Sequence, residues 1–244
     1  MSAPSAGPTA GRRRLAWVVD VQHDFMEPAG RLYVHDLFDS ADPGASVARA
    51  AIIRTVAWMR RVCDAVVFTG DWHAYGDREI VIDHPDAGQG TYPPHCMGAA
   101  PDAEERRGAA LIPEIDPGER AIVLERDASN DRAAVVARAA VQSNSPVFIQ
   151  KKEFSVFEGN AATDAFLGEL TLALGDRPEV IVCGVATDVC VRHAVEGFLT
   201  RGFDVRIVAD ATHGLGLIPT DDLYQGWAAR GARILALPEL ESSA

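Results

Sequence analysis

Three kinds of reactive side chain stand out in this chain, and each sits at the end of an apolar run. Val180-Ile-Val-Cys-Gly-Val-Ala-Thr-Asp-Val-Cys190 reads as a buried strand, a tight turn at Gly184 and a cysteine where a helix begins. A cysteine there faces unpaired backbone N–H groups and the positive end of the helix dipole. Both favour the nucleophilic thiolate, and the same N–H groups can hold a developing oxyanion. Asp20 closes the apolar run Leu15 to Val19. Burial there would raise its pKa toward the range useful for proton transfer. Lys151 or its neighbour Lys152 follows the run Val147 to Gln150 and offers a cation beside the other two. Taken singly, each has a plainer reading. Most free cysteines pack a core, an aspartate at a strand end caps a turn, and paired lysines are solvated.

A second constellation suits a metal. Asp71 and His73 are two residues apart, so in an extended segment their side chains share a face. His95, in Tyr92-Pro-Pro-His95, is a candidate third ligand. One carboxylate and two imidazoles with open positions suit Zn²⁺ first, with Fe²⁺ or Mn²⁺ as alternatives. Phe25, Trp72 and Tyr92 are the aromatic neighbours of these groups, and the spacing predicts that they stack on a flat ring.

The elements that must position these residues alternate along the chain. Strands are expected at Leu15 to Val21, Ala65 to Thr69, Ala121 to Leu124, Val147 to Gln150, Val180 to Cys183, Val205 to Ala209 and Arg233 to Leu237. Helical patterns cover Ser46 to Val62, Asp131 to Val141, Asp164 to Leu174, Cys190 to Arg201 and Thr220 to Arg230. Such β-α alternation implies an α/β fold, a mostly parallel sheet with helices on both faces. Ligands in these sheets bind outside the carboxyl ends of the strands, which is where Asp20, Asp71, Lys151 and Cys190 fall. The irregular stretch from about Asp71 to Pro117 is long enough to be functional.

Composition bounds the rest. With 244 residues the chain suffices for one large domain, expected over residues 13–244 behind a disordered tail of residues 1–12. A net charge of −12 argues against nucleic-acid binding, and no run is long and apolar enough for a membrane span. Four cysteines without a CxxC pair suggest neither a zinc knuckle nor a disulfide framework, and fit a reducing cytoplasm.

Five motifs, in order, carry a resemblance. Asp20-x-Gln22-x-Asp24-Phe25, Asp71-Trp-His73, Tyr92-Pro-Pro-His95, Lys151-x-x-Phe154-Ser155-x-Phe157 and Gly184-Val-Ala-Thr-Asp-Val-Cys190 resemble the isochorismatase-like cysteine hydrolases, nearest to the nicotinamidases. The resemblance implies a three-layer α/β/α fold and an Asp20, Lys151, Cys190 triad, with Lys152 the adjacent rival. It implies a cis Val185–Ala186 peptide and an oxyanion hole from the N–H groups of Ala186 and Cys190. It further implies a metal on Asp71, His73 and His95, a small amide substrate such as nicotinamide, a thioester intermediate and a homo-oligomer. Two departures stand against the pattern. Many nicotinamidases have another histidine soon after the Asp-x-His pair; here Asp77, Glu79, His84 or a water must take that place. A helix-compatible insert around Glu125 to Ser145 is expected to cover the site or serve an interface. The alternatives are a metal-free relative acting on a carbamoyl or ureido compound or on isochorismate, and a non-catalytic binding protein. Asp188 is expected to cap the helix after the turn.

Overall fold

A computed structural model describes residues 12–242. The expected N-terminal tail lies outside them, apart from Arg12, whose guanidinium pairs with Asp204. Seven strands form one sheet: β1 (Arg14–Val19), β2 (Ala65–Asp71), β3 (Ile122–Leu124), β4 (Val147–Lys151), β5 (Glu179–Val185), β6 (Val205–His213) and β7 (Arg233–Leu235). Every pairing is parallel, in the order β3-β4-β2-β1-β5-β6-β7. The central strands are continuous apolar runs because both faces are covered. In β1, Leu15 to Val19 are all buried.

The helices are α1 (His23–Met26), α2 (Ser46–Val62), α3 (Ala103–Arg107), α4 (Asn130–Ser143), α5 (Val156–Gly159), α6 (Thr163–Leu174), α7 (Arg192–Thr200), α8 (Thr220–Ala229) and α9 (Leu237–Ser242). α2 packs on β1 and β6 and against α9, whereas α4 packs on α6 and α7 on α8. Right-handed crossovers account for this division. The chain leaves β1 in one direction to make β2 and crosses back over β1 to make β5, so the two sets of helices cover opposite faces. The layers are helix, sheet, helix, as expected. The reversal of strand order at β1 and β5 opens a crevice at their carboxyl ends.

Three local expectations are corrected. Gly184 is not the turn but the penultimate residue of β5, where the ladder with β6 shifts register. Its φ is 124°, and a Cβ there would lie 2.0 Å from the Val19 carbonyl oxygen, so only glycine lets β1 and β5 approach. The helix does not start at Cys190 but at Arg192, after a π-helical turn over Thr187–Val191. The last strand stops at Leu235, because Leu237 opens α9.

Candidate active site

Register brings the reactive residues together. Asp71 and Lys151 end adjacent strands as direct partners, and Val19, just before Asp20, lies opposite Thr69 on one side and Gly184 on the other. Asp20 leaves β1 in the left-handed region, φ 51°. Its backbone N–H donates to the Thr69 carbonyl and its Oδ1 accepts from the Thr69 hydroxyl at 2.6 Å. Gln22 pins the neighbouring strand: its amide donates to the Asp71 carbonyl and accepts from the Asp71 N–H, both at 2.8 Å.

Lys151 is the centre of the cluster. Its Nζ lies 2.9 Å from Asp20 Oδ2, contacts Asp71 Oδ1 and sits 3.7 Å from Cys190 Sγ. Lys152 points away, to Asp127 at 2.7 Å. Lys151, Asp20 and Asp71 are almost wholly buried. Burial works against the Lys151 ammonium, but the carboxylates of Asp20 and Asp71 outweigh it and hold its pKa well up. Burial pushes the Asp20 carboxyl up, with Lys151 opposing and Asp71 reinforcing. Asp71 moves the other way: burial would raise it, yet Lys151, His73 and His95 hold it well below the ordinary carboxylate range.

Burial opposes the thiolate that a helix start would favour. Burial pushes the Cys190 thiol well up, and Lys151 only partly opposes it. The residue is 6% exposed and lies in the π-helical turn, two residues before the regular helix, so desolvation opposes the dipole. A base beside the sulfur would assist its activation. Asp20, with a ligand atom within 4.8 Å of the sulfur, is so placed.

Beside this cluster lies a set of donors suited to a cation. Asp71 Oδ2 is 3.7 Å from His73 Nε2 and 3.8 Å from His95 Nε2. His95 Nδ1 lies 2.8 Å from the Pro93 carbonyl, which makes Nδ1 the donor there and turns Nε2 toward Asp71. Neither ring nitrogen of His73 has a hydrogen-bond partner, although the ring is fully buried. Glu79 Oε2, equally orphaned, stands 3.8 Å from His73 Nε2. Burial, with Asp71 adding to it, pushes the Glu79 carboxyl up to about 9. Buried polar atoms without partners are costly, and a divalent ion on these nitrogens and oxygens removes that cost. The residues present fit the ion that the sequence implies. Of the substitutes considered for the absent histidine, Glu79 faces the cluster. Asp77 lies on the far side of His73, and His84 is exposed on a loop.

A narrow chamber of about 30 Å³ opens on these groups. Phe25, Tyr92, His95, Ala186 and Cys190 are among its walls, and the Val185–Ala186 peptide is cis. Trp72 does not take part. It follows Asp71, so it turns to the opposite face, where it packs edge-on against Phe148 and over Gly98. Phe154 and Leu215 were missed as lining residues. Phe154 belongs to the Lys151 motif and had a signal; Leu215 had none. Asp188 explains Leu215. Instead of capping a helix, it accepts from the N–H groups of Leu215 at 2.9 Å and Leu217 at 2.7 Å, fixing that loop over the chamber.

Among the described residues no helix is long and apolar enough to cross a membrane. Nicotinamidase from Escherichia coli is 24% identical over 242 residues, covering 94% of this chain and 98% of the relative. Nicotinamidase/pyrazinamidase from Mycobacterium tuberculosis is 27% identical over 207 residues, covering 81% and 85%. The crystal structure of pyrazinamidase of Pyrococcus horikoshii in complex with zinc shares the fold, with a TM-score of 0.59, 22% identity and coverage of 92% and 99%. Residues 16–237 match the Isochorismatase domain, and with five motifs meeting at one sheet edge the chain belongs to the isochorismatase family.

Proposed function

We propose that the chain is a cysteine amidohydrolase that cleaves the carboxamide of a small planar amide, nicotinamide being the leading candidate. The observation that carries this reading is the line from Asp20 through Lys151 to Cys190, with gaps of 2.9 and 3.7 Å, beside the donors of Asp71, His73 and His95. As Cys190 Sγ attacks the amide carbonyl, its proton passes to Asp20, whose raised pKa suits it to both accept and return it. The N–H groups of Ala186 and Cys190 face the oxyanion. Asp20 then delivers the proton to the leaving nitrogen and ammonia departs. Water attacks the thioester, Asp20 takes its proton, and the acid leaves as the thiol is restored. Lys151 holds its charge throughout and keeps two buried carboxylates in register.

Asp71, His73 and His95, with Glu79 facing them, would hold the divalent ion. When bound, it supplies a Lewis acid that orients a ring nitrogen of the substrate. Phe25, Tyr92 and Phe154 flank the ring. Free thiols at all four cysteines suit a reducing compartment.

The test is ammonia release from a panel of aryl, alkyl and carbamoyl amides, with metal content measured on the purified protein. Nicotinamide and its diazine analogue should be the best substrates, and Cys190→Ala should abolish turnover while keeping the fold. Full turnover by Cys190→Ala would overturn the mechanism. Preference for carbamoyl compounds without bound metal would move the chain to the metal-free branch.

A further inference from the structure

The segment expected to be an insert over the site is an ordinary crossover: α4 joins β3 to β4 and packs on α6. The residue that leads into it behaves differently. Arg126 turns back across the sheet edge toward the loop after β2. Its Nη1 donates to the Trp72 carbonyl at 2.6 Å, and its two Nη atoms grip both oxygens of Asp77 at 2.8 Å each. Asp77 Oδ2 also accepts from the Ala74 N–H at 2.8 Å, and it lies 3.5 Å from His73 Nδ1. Arg126 and Asp77 are largely buried, with side chains 16% and 14% exposed.

This places a forked cation behind the carboxylate that faces His73, the imidazole of the cluster whose ring has no hydrogen bond of its own. The backbone of His73 is fixed by its N–H on the Cys96 carbonyl and its C=O on the Ala99 N–H. The imidazole is not so fixed. On its Nδ1 side the facing acid is Asp77; on its Nε2 side are Asp71 and Glu79. A carboxylate behind Nδ1 selects the Nδ1–H tautomer and turns the Nε2 lone pair into the cluster. Asp77 can do this only if its own direction is set, and the bidentate guanidinium sets it.

We propose that Arg126 is a positioning residue: through Asp77 it fixes the orientation and tautomer of His73, and so the affinity of the metal site. This inference rests on the metal-binding reading above. Lysine cannot replace Arg126, because a single ammonium cannot hold both Asp77 oxygens and the Trp72 carbonyl.

The experiment measures zinc affinity by competition with a chromophoric chelator for the wild type, Arg126→Met, Arg126→Lys, Asp77→Asn and the Arg126→Met/Asp77→Asn double variant. Circular dichroism and melting of the metal-free proteins serve as the folding control. Each single variant should bind zinc roughly 10–100-fold more weakly, and the double variant no more weakly than the worse single one, since both act through one ring. Asp77→Asn keeps the shape of the side chain, so it reports even where Arg126→Met fails to fold. Zinc affinities within twofold of wild type, or additive losses in the double variant, would overturn the proposal. A second readout does not depend on bound metal: the ¹⁵N spectrum of His73 in the metal-free protein should show Nδ1–H in the wild type and a tautomer mixture in Asp77→Asn. If the wild type binds no stoichiometric zinc, the metal reading fails, while an unchanged His73 spectrum refutes the positioning role separately.

Discussion

Replacing Lys151 by methionine tests whether the ammonium is what lets two carboxylates share this chamber. Asp20, Asp71 and Cys190 each present a ligand atom within 4.8 Å of the others. At an effective dielectric constant of about 20, two carboxylates at that separation repel by about 3.5 kcal/mol, or roughly 2.5 pH units. Loss of one partner from a buried ion pair costs about 3–5 kcal/mol, and here the two penalties overlap because the variant protonates one carboxyl to escape both. The sign with pH follows from the shifts. In the wild type Asp71 is held below its unfolded value, so its contribution is present above the unfolded pKa and is lost as pH falls through the folded one. In Lys151→Met the cation that opposes the rise of Asp20 is gone, so the stability tied to that carboxyl is greatest below the unfolded pKa and declines as pH rises through the folded value. The deficit against wild type should therefore widen from pH 4 to pH 7 and reach about 3–5 kcal/mol at pH 7. Urea unfolding of the metal-free proteins at both pH values measures it, with ammonia release as the functional readout. A variant as stable as wild type at pH 7, or one that turns over at the wild-type rate, would refute this account of Lys151.

Two further outcomes follow from neighbouring residues. Asp188→Ala removes the acceptor of the Leu215 and Leu217 N–H groups, charge-assisted bonds of about 1.5–3 kcal/mol each. The loop of residues 214–218 should lose amide-exchange protection and the substrate KM should rise; unchanged exchange there would show that the loop is held by other contacts. Glu79→Gln should weaken zinc binding while stabilising the metal-free protein in alkali. Glu79 is raised from 4.5 to about 9 by burial, so its contribution is present below 4.5 and is lost as pH rises toward 9, a loss that glutamine does not share. Urea unfolding in chelator at pH 5 and pH 8 checks this, and no relative gain at pH 8 would count against a buried, protonated Glu79.

The order of strands and helices was legible in the linear chain because the central strands are buried on both faces and read as plain apolar runs. Some helix boundaries were equally clear: Ser46–Val62 was expected and observed at the same residues. Asp20, Lys151 and Cys190, and the group of Asp71, His73 and His95, could be singled out because residues after parallel strands share one sheet edge. What the chain alone left open was decided by register and by side-chain direction. Lys151 rather than Lys152 turns inward because it is the strand partner of Asp71. Trp72 turns outward because it is the next residue along. The desolvation of Cys190, the grip of Asp188 on the loop of Leu215 and the reach of Arg126 to Asp77 have no local signature. Each depends on the desolvation or proximity of groups distant in sequence, and those quantities exist only once the sheet has closed.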